Sequence, residues 1–332
     1  MNKKSTGFPC EPFPIEEVPE GVHRPLWSVM IPAYNCAKYL RQTLESVLAQ
    51  DPGSEQMQIE VVDDCSTKDD PEAVVRKVGK ERVAYYRKPR NEGATANFNT
   101  CLKRSRGHLI HILNGDSYVL PEFYAKVANL AKSHPMVSVF FVRSRLDDEK
   151  GALKRISDRY EKLAKPSNSP DDLLYNNDMM ISGVVIRRSF YEKQGGFRPE
   201  LLHAADWEMW VRAITNGRGL FLNELLSTSR LYYSRDSGKL ARTADNLRNR
   251  LQLMDFFALS YDNFEPARFR ESVARCALEQ EKFFMEHGDK DAAASNHKLW
   301  RELSIWPLRL EDDLGFISPP LDDPSLEGRI SM

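Results

Sequence analysis

The chain has 332 residues, of which 41% are hydrophobic and 29% charged, with 47 Lys and Arg against 48 Asp and Glu. A chain of this length can bury about three quarters of its unfolded surface without a disulfide or a metal, and its 12 Tyr, 16 Phe and 5 Trp exclude disorder, collagen and coiled coil as the main body. A net charge of −1 supplies no electrostatic drive for nucleic acid, and no nucleic-acid partner is expected.

Residues 1–25, rich in Pro and Glu, predict an extended arm outside the core. Ser28 to Pro32 is a short apolar run closed by Pro, which suits a buried strand. Tyr39 to Gln50 carries Leu40, Leu44, Val47 and Leu48 at helical spacing. Ile59 to Val62 reads as a strand stopped by Asp63 and Asp64. Pro71 to Val78 predicts a helix, Arg82 to Tyr86 a strand, Ala94 to Ser105 a helix and Leu109 to Leu113 a strand. Pro121 to Lys132 predicts a helix with Pro at its first position, and Val137 to Val142 a fifth strand. After Gly151 the alternation loosens. Lys165 to Asp172 reads as a loop, Met180 to Arg187 as a strand, Gly195-Gly196 as a helix end and tight turn, Ala205 to Thr215 as a helix and Leu226 to Tyr233 as a strand. From Ala244 to about Leu303 the chain reads as helical.

Strand and helix alternating at this pace imply an α/β fold with a mainly parallel, Rossmann-like sheet flanked by helices and a helical C-terminal extension. The predicted division is 1–25 arm, 26–240 main domain and 241–332 extension. Five cysteines (Cys10, Cys36, Cys65, Cys101, Cys276) are odd in number and share no Cys-x-x-Cys spacing, which suits buried or incidental thiols in a reducing compartment. No apolar run reaches the roughly 18 residues of a membrane helix. Lys3 and Lys4 have no apolar run behind them, so Met1 to Pro25 does not read as a signal peptide. A cytoplasmic protein without a transmembrane segment is the expectation.

The chemistry is first narrowed by absences. There is no Gly-x-Gly-x-x-Gly, no Gly-x-x-x-x-Gly-Lys, no His-Glu-x-x-His, no Gly-x-Ser-x-Gly and no zinc spacing. Parallel sheets place ligands at the carboxyl ends of their strands. Three such ends stand out: Pro32-Ala33-Tyr34-Asn35, Asp63-Asp64-Cys65-Ser66 and Asn114-Gly115-Asp116-Ser117. Carboxylates there suit a hard divalent cation that neutralises a diphosphate.

These residues resemble the inverting glycosyltransferases of family 2, which have the GT-A fold. The likeness begins at Ser28 to Asn35, runs through Leu40 to Gln50, Val62-Asp63-Asp64-Cys65-Ser66, Asn91-Glu92-Gly93 and Asn114-Gly115-Asp116, and resumes at Gly195-Gly196-Phe197 and Ala205 to Arg212. It covers about residues 27–235, with 26–120 as the nucleotide-sugar half and 121–240 as the acceptor half. The resemblance implies that Tyr34 and Asp64 hold the base and ribose, supported by Asp63, and that Pro32, Ala33, Asn91, Asn114 and Gly115 line the nucleotide site. It implies that Asp116, the surviving acid of a D-x-D motif, binds Mn²⁺ or Mg²⁺ bridging the diphosphate.

Asp206 is the candidate base. A metal-bound diphosphate leaves without a proton, so one carboxylate suffices to take the proton of the acceptor hydroxyl. Trp207, Trp210, Val211 and Ile214 would share a buried helix face that fixes Asp206 at the helix start. The bland alternative makes Asp206 only a cap favoured by the helix dipole. Trp207 and Trp210 read as core, and Arg212 as paired within the fold.

The sequence departs from the family in three places. Asn114 replaces the first acid of D-x-D and Ser117 the acid after it; Phe98 stands where an Arg is common; the late Tyr-Arg-x-His appears as Ser229-Arg230-Leu231-Tyr232. These changes leave open weak metal affinity, a nucleotide other than UDP, or lost activity. Arg242, with Arg235, Lys239 and Thr243, lies in a segment read either as a loop closing over the diphosphate or as a solvated basic loop. Leu251, Met254, Phe256, Phe257 and Leu259 are open to three readings: core packing, a homodimer contact, or peripheral contact with a membrane. With the processive Gln-x-x-Arg-Trp absent, the expectation is transfer of one sugar from a UDP-sugar to a glycan, a lipid-linked glycan or a small molecule. The alternative is a degenerate relative serving as a nucleotide-sugar-binding or partner-binding scaffold.

Overall fold

The computed structural model describes residues 11–304, except Asp172 and residues 231–235. Among these are nine strands in one sheet: β1 (Trp27–Ala33), β2 (Met57–Asp63), β3 (Ala84–Arg87), β4 (Leu109–Ile112), β5 (Tyr118–Val119), β6 (Val139–Asp147), β7 (Leu153–Ile156), β8 (Val184–Arg187) and β9 (Gly219–Arg230). The helices are α1 (Ala37–Leu48), α2 (Pro71–Val78), α3 (Ala94–Arg104), α4 (Phe123–Ser133), α5 (Arg188–Gln194), α6 (Ala205–Gly217), α7 (Asp236–Arg242), α8 (Asp245–Ser260), α9 (Pro266–Glu286) and α10 (Lys290–Ser304).

The strand order is β3-β2-β1-β4-β8-β6-β9-β5, with β7 on β6. The first four strands run parallel, in the register Val29↔Ile59 and Val29↔His111 across β1. Both neighbours of β1 are reached by crossovers in opposite directions, so the chain reverses its strand order there, which is where open α/β sheets open a crevice. β8 and β6 then pair antiparallel, and β9 lies parallel to β6.

Each face of the sheet is covered. Leu40, Leu44 and Val47 of α1, Val75 of α2 and Phe123 and Val127 of α4 pack with Val29 and Ile31 on one side. Leu102 of α3, Phe190 of α5, Trp207 and Trp210 of α6, and Phe257, Phe269 and Leu299 of the C-terminal helices pack with Ile110 and Ile112 on the other. Burying each such side chain contributes about 1.5–3 kcal/mol. Leu251, Met254, Phe256 and Phe257 therefore pack on the core, whereas Leu259 is exposed.

Several local expectations are corrected. The arm is irregular, but Ile15 is buried in the core, Phe13 accepts from the Gly196 N–H and Glu16 from Arg188, so residues 13–16 belong to the packed body. Pro121 precedes α4 rather than opening it, because Glu122 turns the chain at φ +69° first. β9 begins at Gly219, well before Leu226, because pairing with β6 holds Gly219 opposite Val139. The short elements β5, β7 and α7 have no counterpart in the sequence pattern.

Candidate active site

The site is assembled around the end of β1. Pro32 and Ala33 are buried and act through their carbonyls: Ala33 accepts from the Asp64 N–H at 2.8 Å, and Pro32 from the Gly115 N–H at 3.0 Å. The three strand ends singled out by the sequence thus meet. Gly115 is required by closeness, since a Cβ there would lie 2.7 Å from Cys36 Sγ and 3.3 Å from the Pro32 oxygen. Tyr34 is 40% exposed at this edge. Asn35 turns the chain at φ +48°, and its side-chain oxygen accepts from the Thr67 and Lys68 N–H groups at 3.0 and 2.9 Å. Asn35 thereby fastens the loop after β2 to the loop after β1.

Asp63 is fully buried and closed. Ser66 N–H, Ser66 Oγ, Tyr85 OH and Arg87 all donate to it, at 3.0, 2.5, 2.9 and 2.6 Å. Four donors fill the roughly four acceptor positions of a carboxylate. Asp63 supports the site and has no capacity left for a ligand. Asp64 accepts from the Glu92 and Gly93 N–H groups and pairs with Lys88 Nζ at 2.8 Å. The Glu92 N–H reaches both Asp64 oxygens, at 3.1 and 3.2 Å, so each oxygen carries two contacts. Asn91 is exposed beside this clasp. Lys88 was missed in the sequence, although it directly follows β3 and so occupies a fourth strand end. Burial disfavours its charge, but Asp64 and Glu92 outweigh that and raise its pKa.

Asp116 is 7% exposed and follows Asn114, which is half-buried. Ser117 Oγ donates to Asp116 Oδ1 at 3.4 Å, and Arg230 donates to the Asp116 main-chain oxygen. Among the described residues no three His, Cys, Asp or Glu side chains gather around one point. The donor set here fits a divalent ion of the kind held by one carboxylate with substrate phosphates completing its shell, and does not fit a metal caged by protein alone. Tyr232 lies outside the described residues.

Asp206 is the second residue of α6, whose cap position is Ala204, so it lies in the first turn and is not the N-cap. Its Oδ1 accepts from the Trp207 N–H at 2.7 Å. Burial pushes its pKa up to about 6, against the lowering effects of that N–H and of Arg250. Trp207 and Trp210 are buried, and the Trp207 indole donates to the Leu173 carbonyl at 2.5 Å. Arg212 does pair within the fold: it grips the buried Glu208 and the carbonyls of Gln194, Gly195 and Gly196. Gly195, at φ +77°, ends α5 as foreseen.

The first half of α3 is linked to the segment that precedes α6. Gly93, which caps α3, donates to Asp64; Thr95 Oγ1 donates to the Leu201 and Leu202 carbonyls at 3.2 and 3.3 Å; Asn99 makes two 2.9 Å bonds to the Phe197 main chain. The segment leading to Asp206 is thus hung on the helix that clasps Asp64. Phe98, where an Arg was noted as missing, packs on Phe197 with ring centroids 5.3 Å apart.

Arg242 is a correction. It belongs to α7, not to a loop, and pairs with Asp289 at 2.8 Å. Asn296 of α10 donates to the Ala241 carbonyl, so this part of α7 is tied to the C-terminal helices. Thr243 closes onto Asp245 at 2.6 Å. Arg235 lies outside the described residues.

A mainly parallel α/β sheet with Asp63, Asp64 and Asp116 beyond the carboxyl ends of its strands, at a reversal of strand order, defines a protein of the open α/β class. Residues 28–195, just over half of the chain, match Glycosyl transferase family 2, and the chain belongs to that family. It is 27% identical over 266 residues to an uncharacterized protein, MT1568, of Mycobacterium tuberculosis, covering 76% of this chain and 81% of that one. It is 27% identical to an uncharacterized glycosyltransferase of Rickettsia felis over 68% of this chain, but spans 37% of that relative. The fold resembles Staphylococcus aureus TarS 1-349 in complex with UDP-GlcNAc, with TM-score 0.54, 16% identity and coverage of 83% and 91%. It also resembles the mannosyltransferase PcManGT of Pyrobaculum calidifontis in complex with GDP-Man and Mn²⁺, with TM-score 0.53, 17% identity and coverage of 92% and 85%. The fold is of the GT-A type.

Proposed function

We propose that this protein transfers one sugar, with inversion, from a UDP-sugar to a hydroxyl on a glycan, a lipid-linked glycan or a small molecule. The observation that carries this reading is Asp206: a carboxylate in the first turn of a rigid helix, with its pKa pushed up to about 6 by burial, is a base poised for neutral pH. Asp206 takes the proton of the acceptor hydroxyl. That oxygen bonds to the anomeric carbon from the face opposite the diphosphate, and the bond from carbon to diphosphate oxygen breaks with its electron pair leaving on the nucleoside diphosphate. Asp64, at the end of β2, receives a ribose hydroxyl, and Tyr34, exposed at the same edge, stacks on the base. Asp116 would hold Mn²⁺ or Mg²⁺, which when bound neutralises the diphosphate charge as it develops. The neighbours in complex with UDP-GlcNAc and with GDP-Man and Mn²⁺ support a nucleotide-sugar donor.

A scaffold that binds a nucleotide sugar without transferring it is the second reading, favoured by the single acid left at Asn114-Gly115-Asp116. Among the described residues no helix is long and apolar enough to cross a membrane, and we place the reaction in the cytoplasm.

Calorimetry of UDP, TDP and GDP in Mn²⁺ and in EDTA tests the donor. Binding of UDP that requires Mn²⁺ and is lost in Asp116→Ala is the expected result. No binding of any nucleotide by the folded chain overturns the transferase.

A further inference from the structure

We infer that Arg230 is a positioning residue for Asp116, an inference that rests on the nucleotide-sugar reading above. Arg230 ends β9, and its guanidinium donates to the Asp116 main-chain oxygen and to Gln42 Oε1 of α1. It also lies between two rings, 4.8 Å from the centroid of Tyr39 and 5.3 Å from that of Tyr118. Tyr118 is itself fixed, because its hydroxyl donates to the fully buried Asp147 at 3.0 Å and Arg145 holds the other Asp147 oxygen at 2.8 Å. One planar cation therefore joins the end of β9, the loop after β4 and the first half of α1.

The chemistry of Arg suits this position and that of Lys does not. A guanidinium presents donors in a rigid fork while its faces stay free to stack; an ammonium can reach an acceptor or sit over a ring, but not two acceptors between two rings. The structural demand is also specific. The Asn114-Gly115-Asp116-Ser117 end carries one acid, and among the described residues no three His, Cys, Asp or Glu side chains gather around one point, so a cation there would rest chiefly on Asp116. With Asn114 and Ser117 in the places of the other acids, the position of Asp116 matters more to such a cation. Arg230 supplies a restraint on Asp116 itself, beside those that Pro32 and Thr43 place on Gly115 and Ser117, and groups that orient a metal ligand in this way typically change metal affinity by about 10–100-fold.

The test is calorimetry of UDP binding to the full chain across a Mn²⁺ titration, for the parent, Arg230→Ala, Arg230→Lys, Gln42→Ala and Asp116→Ala, each with a thermal melt. Arg230→Ala is expected to raise the Mn²⁺ concentration at half-maximal UDP binding about tenfold or more, with any residual UDP binding in EDTA unchanged and with Arg230→Lys between it and the parent. If Arg230→Ala melts below the assay temperature, Arg230→Lys and Gln42→Ala carry the same comparison. An unchanged Mn²⁺ midpoint in a folded variant overturns the inference. So does an equal loss of UDP binding in Mn²⁺ and in EDTA, which makes Arg230 a direct phosphate contact. A parent chain that binds no UDP under either condition overturns the nucleotide-sugar reading itself, a result distinct from the other two.

Discussion

Lys88 Nζ lies 2.8 Å from the carboxylate of Asp64, and both side chains are 3% exposed. The same ammonium reaches Glu92 at 2.8 Å, so it joins the end of β2 to the loop that caps α3. Removing one partner of a buried pair leaves an uncompensated charge, which costs about 3–5 kcal/mol. Lys88→Met is therefore expected to lower stability by about that amount in urea titration and to abolish nucleotide binding. A variant as stable as the parent would show that water replaces the ammonium.

Asp206→Asn is expected to lower transfer about 10²–10⁴-fold while UDP affinity is kept. In the parent, the rate should rise with pH through about 6 as Asp206 ionises, with Arg250 the neighbouring charge that bears on it. Stability runs the other way. The folded state raises this pKa from 3.8 to about 6 and so favours the protonated acid; that contribution is full below 3.8 and is lost as pH rises through about 6. Asp206→Asn should then melt higher than the parent above pH 6, with the difference closing towards pH 4. A parent rate flat from pH 5 to 8 would remove Asp206 as the base.

Thr95→Val keeps the shape of α3 but removes its hydroxyl from the Leu201 and Leu202 carbonyls. Because Asp64 and Gly93 are untouched, the expected result is unchanged UDP affinity with kcat reduced about 10–100-fold through a displaced Asp206, in line with the sensitivity of such geometry. Equal losses in both would show that α3 moves as a whole.

Gly115→Ala forces a methyl group against Cys36 Sγ and should displace Asp116, weakening UDP binding in Mn²⁺. Because the nearest obstacle is a side-chain atom, the double variant Cys36→Ala with Gly115→Ala is expected to regain much of that binding. Failure of the second change to restore binding would place the conflict at the Pro32 oxygen.

What the sequence by itself determined is the run of elements from Trp27 to Leu113 and the meeting place of their ends. Val29, Ile31, Leu40, Leu44 and Val61 recur at strand or helix spacing, and the predicted bounds Pro71 to Val78 are those of α2. Period and punctuation are local, and local pattern is enough where each element buries one face. The place of Asp206 at the start of α6, the pairing of Arg212 and the Gly195 turn follow for the same reason, since each sits within one helix or beside its end. The partners of the site residues were decided only in three dimensions. Asp63 closes on Tyr85 and Arg87, more than twenty residues on, and Arg230 finds Asp116 across 114 residues. Arg242 was given to a loop until α10 supplied the surface that holds α7, and Ile15 to a solvent-facing arm until α5 and its turn gave it cover. A side chain's charge and length set what it can bind. Which of its candidate partners it meets depends on how the elements stack, and no spacing along the chain encodes that.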